Sequence, residues 1–159
     1  MAHDQFYTKP DTAKSCYNDL LKYIDINNFD IFLEPSAGNG VFYKLLPSDK
    51  RHGIDLDPKH SDIITQDFFD FKPLLDKKYI VVGNPPFGKV SSLAIKFFNQ
   101  AAKFADIIAF ILPRTFKRVS ITNKLSLNFH NIYTVNLPTI PCCFEPKMST
   151  KCCFMIWQR

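Results

Sequence analysis

The chain has 159 residues, 46% of them hydrophobic and 22% charged, and a formal net charge of +5. That length and balance mark an ordinary soluble globular chain with room for one domain and a real core. The first ten residues contain no apolar stretch of the kind that directs secretion, and the longest apolar run, residues 107–112, is far too short to span a bilayer. The expectation is therefore an intracellular protein of a reducing compartment, cytoplasmic or nuclear, with no membrane partner. The positive excess fits an anionic partner such as nucleic acid.

Gln5-Phe6-Tyr7-Thr8-Lys9-Pro10 opens a helix. Thr8 or Lys9 takes the cap, Pro10 sits in the first turn and Asp11 suits the positive end of the dipole. Ala13, Cys16, Tyr17, Leu20 and Ile24 recur at helical spacing, and Asn27-Asn28 ends the pattern. Residues 30–33 form a short buried strand. The loop Glu34-Pro35-Ser36-Ala37-Gly38-Asn39-Gly40 follows, and residues 41–46 read as a helix.

A strand, a glycine loop and a helix make the geometry of a nucleotide-type cofactor site. Glycines let backbone N–H groups come close to a ligand. Two common versions are excluded. Tyr43 stands where a GxGxxG loop needs its third glycine, and the Gly-Lys-Ser/Thr ending of a phosphate-binding loop is missing. Glu34, just before the glycines, repels phosphate and favours a cationic group. A cofactor carrying an ammonium and a sulfonium suits it better than NAD or ATP, which argues against a dehydrogenase.

Residues 50–55 form the second strand and end at Asp55, 15 residues after Gly40 and 21 after Glu34. An acid at that place holds ribose hydroxyls in doubly wound folds. Leu56 and Asp57 follow, the latter a candidate turn cap. Residues 61–65 form a third strand leading into Gln66-Asp67-Phe68-Phe69-Asp70-Phe71. There Asp67 can accept from an exocyclic amine, and Phe68 can pack on a base plane.

The fourth strand, residues 79–82, stops at Gly83 and runs into Asn84-Pro85-Pro86-Phe87-Gly88. Asn84 offers an amide acceptor, and the two prolines stiffen the backbone. A rigid Pro85 carbonyl beside the Asn84 oxygen makes a two-acceptor site for an –NH2 group, with the Phe87 ring as a stacking face. Ser91 or Ser92 caps a helix reaching to about residue 105, with Ala94, Phe97, Phe98, Ala101 and Ala105 on its apolar side. Residues 106–112 form a fifth strand, apolar throughout after Asp106, as parallel buried strands are. A basic loop, Pro113-Arg114-Thr115-Phe116-Lys117-Arg118, comes next. Residues 119–127 read as helix, 132–137 as a sixth strand, 138–150 as a loop containing Phe144, and 151–157 as the last strand.

Seven strands alternate with helices except between the last two. The pattern predicts an α/β domain whose mostly parallel sheet carries one antiparallel strand near its edge. The five cysteines (16, 142, 143, 152 and 153) lack metal-ligand spacing and read as free thiols, so no metal is expected.

These residues in this order resemble the class I S-adenosyl-L-methionine-dependent amino-methyltransferases, most closely the N6-adenine group. Phe6-Tyr7-Thr8-Lys9-Pro10 is similar to that family's Phe-Tyr-Thr-Pro motif, with Lys9 inserted. Glu34 to Gly40 matches its acid-x-x-x-Gly-x-Gly loop, Asp55 its ribose-binding acid and Asp67-Phe68 its adenine-edge motif. Asn84-Pro85-Pro86-Phe87 matches its catalytic tetrapeptide, and Leu137-Pro138 with Phe144 its late motif. The resemblance implies a Rossmann-like seven-stranded sheet and an S-adenosylmethionine cofactor. That cofactor would lie along Tyr7, Thr8, Glu34, Ser36, Ala37, Gly38, Gly40, Asp55, Leu56, Asp67, Phe68 and Asn84. It further implies catalysis at residues 84–87 and a flipped base held between Phe87 and Phe144.

Lys89, Arg114, Lys117, Arg118 and Lys147 lie in or beside loops after strands and are the candidates for backbone phosphate. The family's DNA enzymes usually carry a separate target-recognition domain after the seventh strand, where this sequence ends at Arg159. Sequence specificity is then expected to be low, or to come from short loops, a partner subunit or a homodimer. The implied reaction is methyl transfer to the N6 amine of adenine, with DNA slightly ahead of RNA. A glutamine side chain of a protein is the alternative acceptor, and a non-catalytic subunit that keeps the fold is the alternative role.

Overall fold

The computed structural model describes residues 6–159; Gln5, expected to open the first motif, lies outside them. Alternation of apolar runs with amphipathic ones resolves into a central sheet with a helix on each face. Strand β1 is Tyr7–Thr8 and helix α1 is Pro10–Leu21. Strands β2 (Ile31–Glu34), β3 (Arg51–Asp55), β4 (Ile64–Thr65) and β5 (Tyr79–Gly83) follow. Helix α2 (Ser92–Ala102), strand β6 (Ala105–Pro113), the short helix α3 (Val119–Thr122), and strands β7 (His130–Asn136), β8 (Phe144–Glu145) and β9 (Cys152–Gln158) complete the order.

The main sheet has seven strands in the order β4-β3-β2-β5-β6-β9-β7. Strands β2 to β6 are mutually parallel where they pair, and β9 inserts antiparallel between β6 and β7. This is the mixed sheet that the missing last helix predicts. The strand order reverses at β2, with β3 on one side and β5 on the other, so the carboxyl ends of these strands face a natural crevice.

Two-residue periodicity splits the core cleanly. Along β6, Ile108, Phe110 and Leu112 face the α2 side with Phe97 and Phe98. Ile107, Ala109 and Ile111 face the α1 side with Ala13, Cys16 and Leu20. On α1 the buried residues are Ala13, Cys16, Tyr17 and Leu20, the face the spacing predicts. Each large side chain buried this way contributes about 1.5–3 kcal/mol before the entropy cost of ordering it.

Five elements differ from expectation. Helix α1 stops at Leu21 rather than reaching Ile24, because Lys22 already closes the last turn onto Asp19 and Leu20. Residues 41–46 hold a single 3-10 turn, Tyr43–Leu45. Only six residues separate Gly40 from Pro47, too few for a stable helix to form. The helix after the basic loop is α3 alone, and the third strand shrinks to Ile64–Thr65. The basic loop itself winds into a 3-10 helix, Arg114–Lys117. Among the described residues no helix is long and apolar enough to cross a membrane.

Candidate functional site

Four strand ends meet at the carboxyl edge of the sheet: Glu34 on β2, Asp55 on β3, Gly83 on β5 and Pro113 on β6. The glycine loop is tied across two of them. Ala37 N–H donates to the Ile54 carbonyl at 2.9 Å, and Gly38 N–H donates to Asp55 Oδ2 at 2.8 Å. Asp55 Oδ1 accepts from Asp57 N–H at 2.8 Å, so both carboxylate oxygens are held in fixed directions while keeping free lone pairs. Gly38 and Gly40 have φ of +55° and +82°, values that favour glycine. A Cβ on Gly38 would meet the Tyr7 ring at 3.3 Å, so Tyr7 lies directly against the loop. One on Gly40 would meet His60 at 3.2 Å. His60 thus forms a wall of the loop, and no motif in the sequence marks it. Ala37 is buried; Ser36 is half-buried and Leu56 is 64% exposed beside Asp55.

Glu34 is 2% exposed, and its Oε1 has no hydrogen-bond partner. Burial holds its carboxyl well above the usual range, opposed by the Tyr43 backbone N–H and reinforced by the charge of Asp55. Gly83 gives it room: a Cβ there would stand 3.1 Å from Glu34 Cγ. A buried, under-partnered acid at a glycine loop is the place for a cationic group.

Strand β1 brings the N-terminal motif into the crevice. It pairs antiparallel with β8, Tyr7 opposite Glu145 and Thr8 opposite Phe144. Lys9 then donates its N–H to the Cys143 carbonyl at 2.8 Å and serves as the cap of α1. Lys9 is thus taken up at the helix start, and Tyr7 lies on Gly38. The two-residue pairing of β1 with β8 was not foreseen; segments this short carry no periodicity to read.

Asn84 sits where β5 ends. Its Nδ2 donates to Thr8 Oγ1 at 3.2 Å and to the Phe6 carbonyl at 3.5 Å. Ser36 Oγ donates to the Asn84 carbonyl at 3.2 Å, linking the tetrapeptide to the glycine loop. Both amide hydrogens are thus used, and Asn84 Oδ1 is left over as an acceptor. Pro85 is buried and Pro86 half-buried. Phe87 is half-buried against both cores, and its carbonyl accepts from Leu93 and Ala94 at the start of α2.

Several expectations need correction. Phe68 does not offer a ring to a base: it is 2% exposed and stacks among Phe97, Phe71 and Phe104. Phe69, 41% exposed, is the outward ring of that pair. Asp67 caps the 3-10 turn Phe68–Asp70 through Phe69 N–H at 2.9 Å. Phe144 is 4% exposed in the α1-side core, the same cluster that Phe87 packs on. Its ring is enclosed in that core rather than presenting an open face. Arg114 does not stand free for phosphate. Its Nη2 donates to the Leu137 carbonyl at 2.7 Å and its Nε to the Cys152 carbonyl at 3.1 Å, clamping the chain between β7 and β9. Lys117 donates to Asn136 Oδ1. Lys89, Arg118 and Lys147 are exposed. Among the described residues, no group of three or more His, Cys, Asp or Glu could hold a metal ion.

No family model matches the sequence, and no curated protein does. Solved structures do. PH1948 of Pyrococcus horikoshii, provisionally an RNA methyltransferase, superposes with a TM-score of 0.68 at 16% identity, over 98% of this chain and 87% of its own. A dimethyladenosine transferase from Plasmodium falciparum gives 0.62 at 18%, over 95% and 61%. Magnesium protoporphyrin IX methyltransferase from Synechocystis, solved with S-adenosylmethionine bound, gives 0.62 at 12%, over 94% and 79%. This chain has the Rossmann-like, seven-stranded fold of those methyltransferases, as its strand order independently shows.

Proposed function

We propose that this protein is an S-adenosylmethionine-dependent methyltransferase acting on the exocyclic N6 amine of adenine in nucleic acid. The observation that carries the reading is the setting of Asn84: both amide hydrogens turn to Phe6 and Thr8, and Oδ1 is left for an incoming amine. The glycine loop and Asp55 fit the cofactor's ribose and amino-acid portion, with Tyr7 alongside and Glu34 matched to its positive charge. Asp67 and the main chain at Phe68 fit the cofactor's adenine edge. The cofactor supplies an activated methyl group on a good leaving group, so the protein needs no nucleophile.

The protein's task is to bind, orient and polarise. An aromatic amine is a poor nucleophile because its lone pair is delocalised into the ring. Asn84 Oδ1 and the Pro85 carbonyl accept its two N–H bonds, draw the nitrogen toward tetrahedral geometry and stabilise the charge that develops there. Phe87 takes one face of the base. Its half-buried ring favours a flat heterocycle over a glutamine amide. The solved neighbours named for RNA and for dimethyladenosine support adenine in RNA as an acceptor to test beside DNA. The exposed Lys89, Arg118 and Lys147 are suited to phosphate.

The test is incubation with labelled S-adenosylmethionine and DNA, RNA or protein, followed by identification of the methylated atom. Asn84→Ala should lower transfer by about a hundredfold or more while cofactor binding persists. Transfer within a few-fold of wild type would overturn the mechanism.

A further inference from the structure

Directly after the Asn-Pro-Pro-Phe stretch the chain makes a rigid protrusion. Three anchors fix it. The Phe87 carbonyl is held by Leu93 and Ala94 N–H groups. Gly88, at φ +71°, lies so close to α2 that a Cβ would stand 2.7 Å from Leu93 Cβ. Ser91 is buried, and its hydroxyl lies 3.5 Å from that of Thr115 in the basic 3-10 helix. Between these anchors Lys89 and Val90 are thrust outward.

Val90 breaks two rules at once. It is 87% exposed, and it has φ of +51°, a left-handed conformation that a β-branched residue seldom adopts. No packing within the fold repays either feature. Strain of this kind persists where the surroundings impose it, and it gathers at functional sites. The next loop on this rim repeats the arrangement: Arg118 is exposed beside Val119, which is 70% exposed. Each apolar side chain thus stands beside a cation, and the Ser91–Thr115 contact joins the two loops into one rim.

We propose that Val90 is a wedge that enters the base stack and fills the space left when the target nucleotide turns out toward Asn84. The inference rests on the nucleic-acid reading above and narrows it to stacked, helical acceptors. Proteins that unstack bases insert an apolar side chain between steps while adjacent cations hold the backbone. An enzyme acting on a base inside a helix must first extrude it. Lys89 holds phosphate beside the wedge, and Phe87 receives the base three residues away in sequence.

The experiment compares Val90→Gly and Val90→Leu with wild type, using labelled S-adenosylmethionine and long mixed-sequence DNA and RNA duplexes, each beside its heat-separated strands. Glycine relaxes the left-handed strain, so its melting temperature should equal or exceed that of wild type, and misfolding cannot explain lost activity. Val90→Gly should methylate duplex about tenfold less while labelling separated strands as wild type does. Val90→Leu should retain duplex activity. An unchanged duplex-to-strand ratio in Val90→Gly, or an equal loss on both, overturns the wedge alone. A wild-type protein that labels no nucleic acid overturns the acceptor reading and the wedge with it.

Discussion

The Thr8 hydroxyl accepts a hydrogen bond from the Asn84 side-chain amide at 3.2 Å, joining the second residue of β1 to the end of β5. Thr8 is 4% exposed, so water does not compete for the contact. The bond decides which end of the Asn84 amide faces the acceptor: with Nδ2 turned to Thr8 and to the Phe6 carbonyl, Oδ1 is presented.

Thr8→Val keeps the shape and removes the acceptor. One hydrogen bond of this kind is worth about 1 kcal/mol in stability. The larger effect is on turnover, because the amide is freed to flip. The rate constant should fall about tenfold or more with little change in cofactor KM, and Thr8→Ser should restore it. Equal losses in the Val and Ser variants would show that Thr8 only packs.

Asp55 makes two hydrogen bonds to backbone N–H groups, at Gly38 and Asp57, both at 2.8 Å. Asp55→Ala releases the glycine loop and removes the acid suited to ribose hydroxyls. Cofactor affinity, measured by calorimetry, should drop about tenfold to a hundredfold. Affinity for nucleic acid should be unaltered; a parallel loss of both would place Asp55 in general folding instead.

Much of this site was legible because the residues that carry it punctuate a regular pattern. Glu34, Asp55 and Asn84 are polar residues at or just after the carboxyl ends of strands, each followed by a turn-forming stretch that marks the stop. The role of Thr8 was not legible. It depends on a two-residue pairing of β1 with β8 between distant segments, and neither segment has a period. Phe68 and Phe69 show another limit. Both are aromatic neighbours in a short turn, and only packing against Phe71 and Phe104 decides that Phe68 points inward. Arg114 reads as a loose basic residue until Leu137 and Cys152, from distant parts of the chain, supply carbonyls for it.

Glu34 makes the protein's stability depend on pH. Burial raises its carboxyl well above the ordinary 4.5. The folded protein then keeps a proton that the unfolded chain has already released. Stability from this group is complete below the unfolded value and falls as pH rises toward the higher folded value. Glu34→Gln cannot ionise, so its thermal unfolding should lose this slope as pH rises above the ordinary carboxylate range. A cationic ligand favours the carboxylate and expels the proton, so affinity for S-adenosylmethionine should rise with pH over the same window. Identical pH profiles for Glu34→Gln and wild type would remove Glu34 from both roles.

Gly88 sets the turn between Phe87 and α2. At φ +71°, with Leu93 Cβ 2.7 Å and Leu93 N 3.0 Å from where a Cβ would stand, Gly88→Ala meets both strain and collision. The neighbour includes main chain, which cannot rotate away. Denaturant unfolding should show a loss of about 1–3 kcal/mol. A variant as stable as wild type would mean that this turn is free to move.

Arg114, Lys89 and Arg118 look alike in sequence and should behave differently. Arg114 binds two main-chain carbonyls between β7 and β9, and the Cys152 carbonyl keeps the Leu137 N–H when Arg114 is removed, so Arg114→Ala strips the buried Leu137 carbonyl of its side-chain partner and should cost about 2 kcal/mol of stability. Lys89 and Arg118 are exposed. Replacing either by Ala should leave the melting temperature within about a degree or two of wild type. Each replacement should instead weaken nucleic-acid binding and reduce the slope of log affinity against log salt by about one. Titrations at several salt concentrations separate the two classes. If Lys89→Ala and Arg118→Ala leave the salt slope unchanged, this rim does not hold phosphate. If Arg114→Ala changes the slope without altering stability, the clamp between β7 and β9 is dispensable and Arg114 belongs with the binding residues.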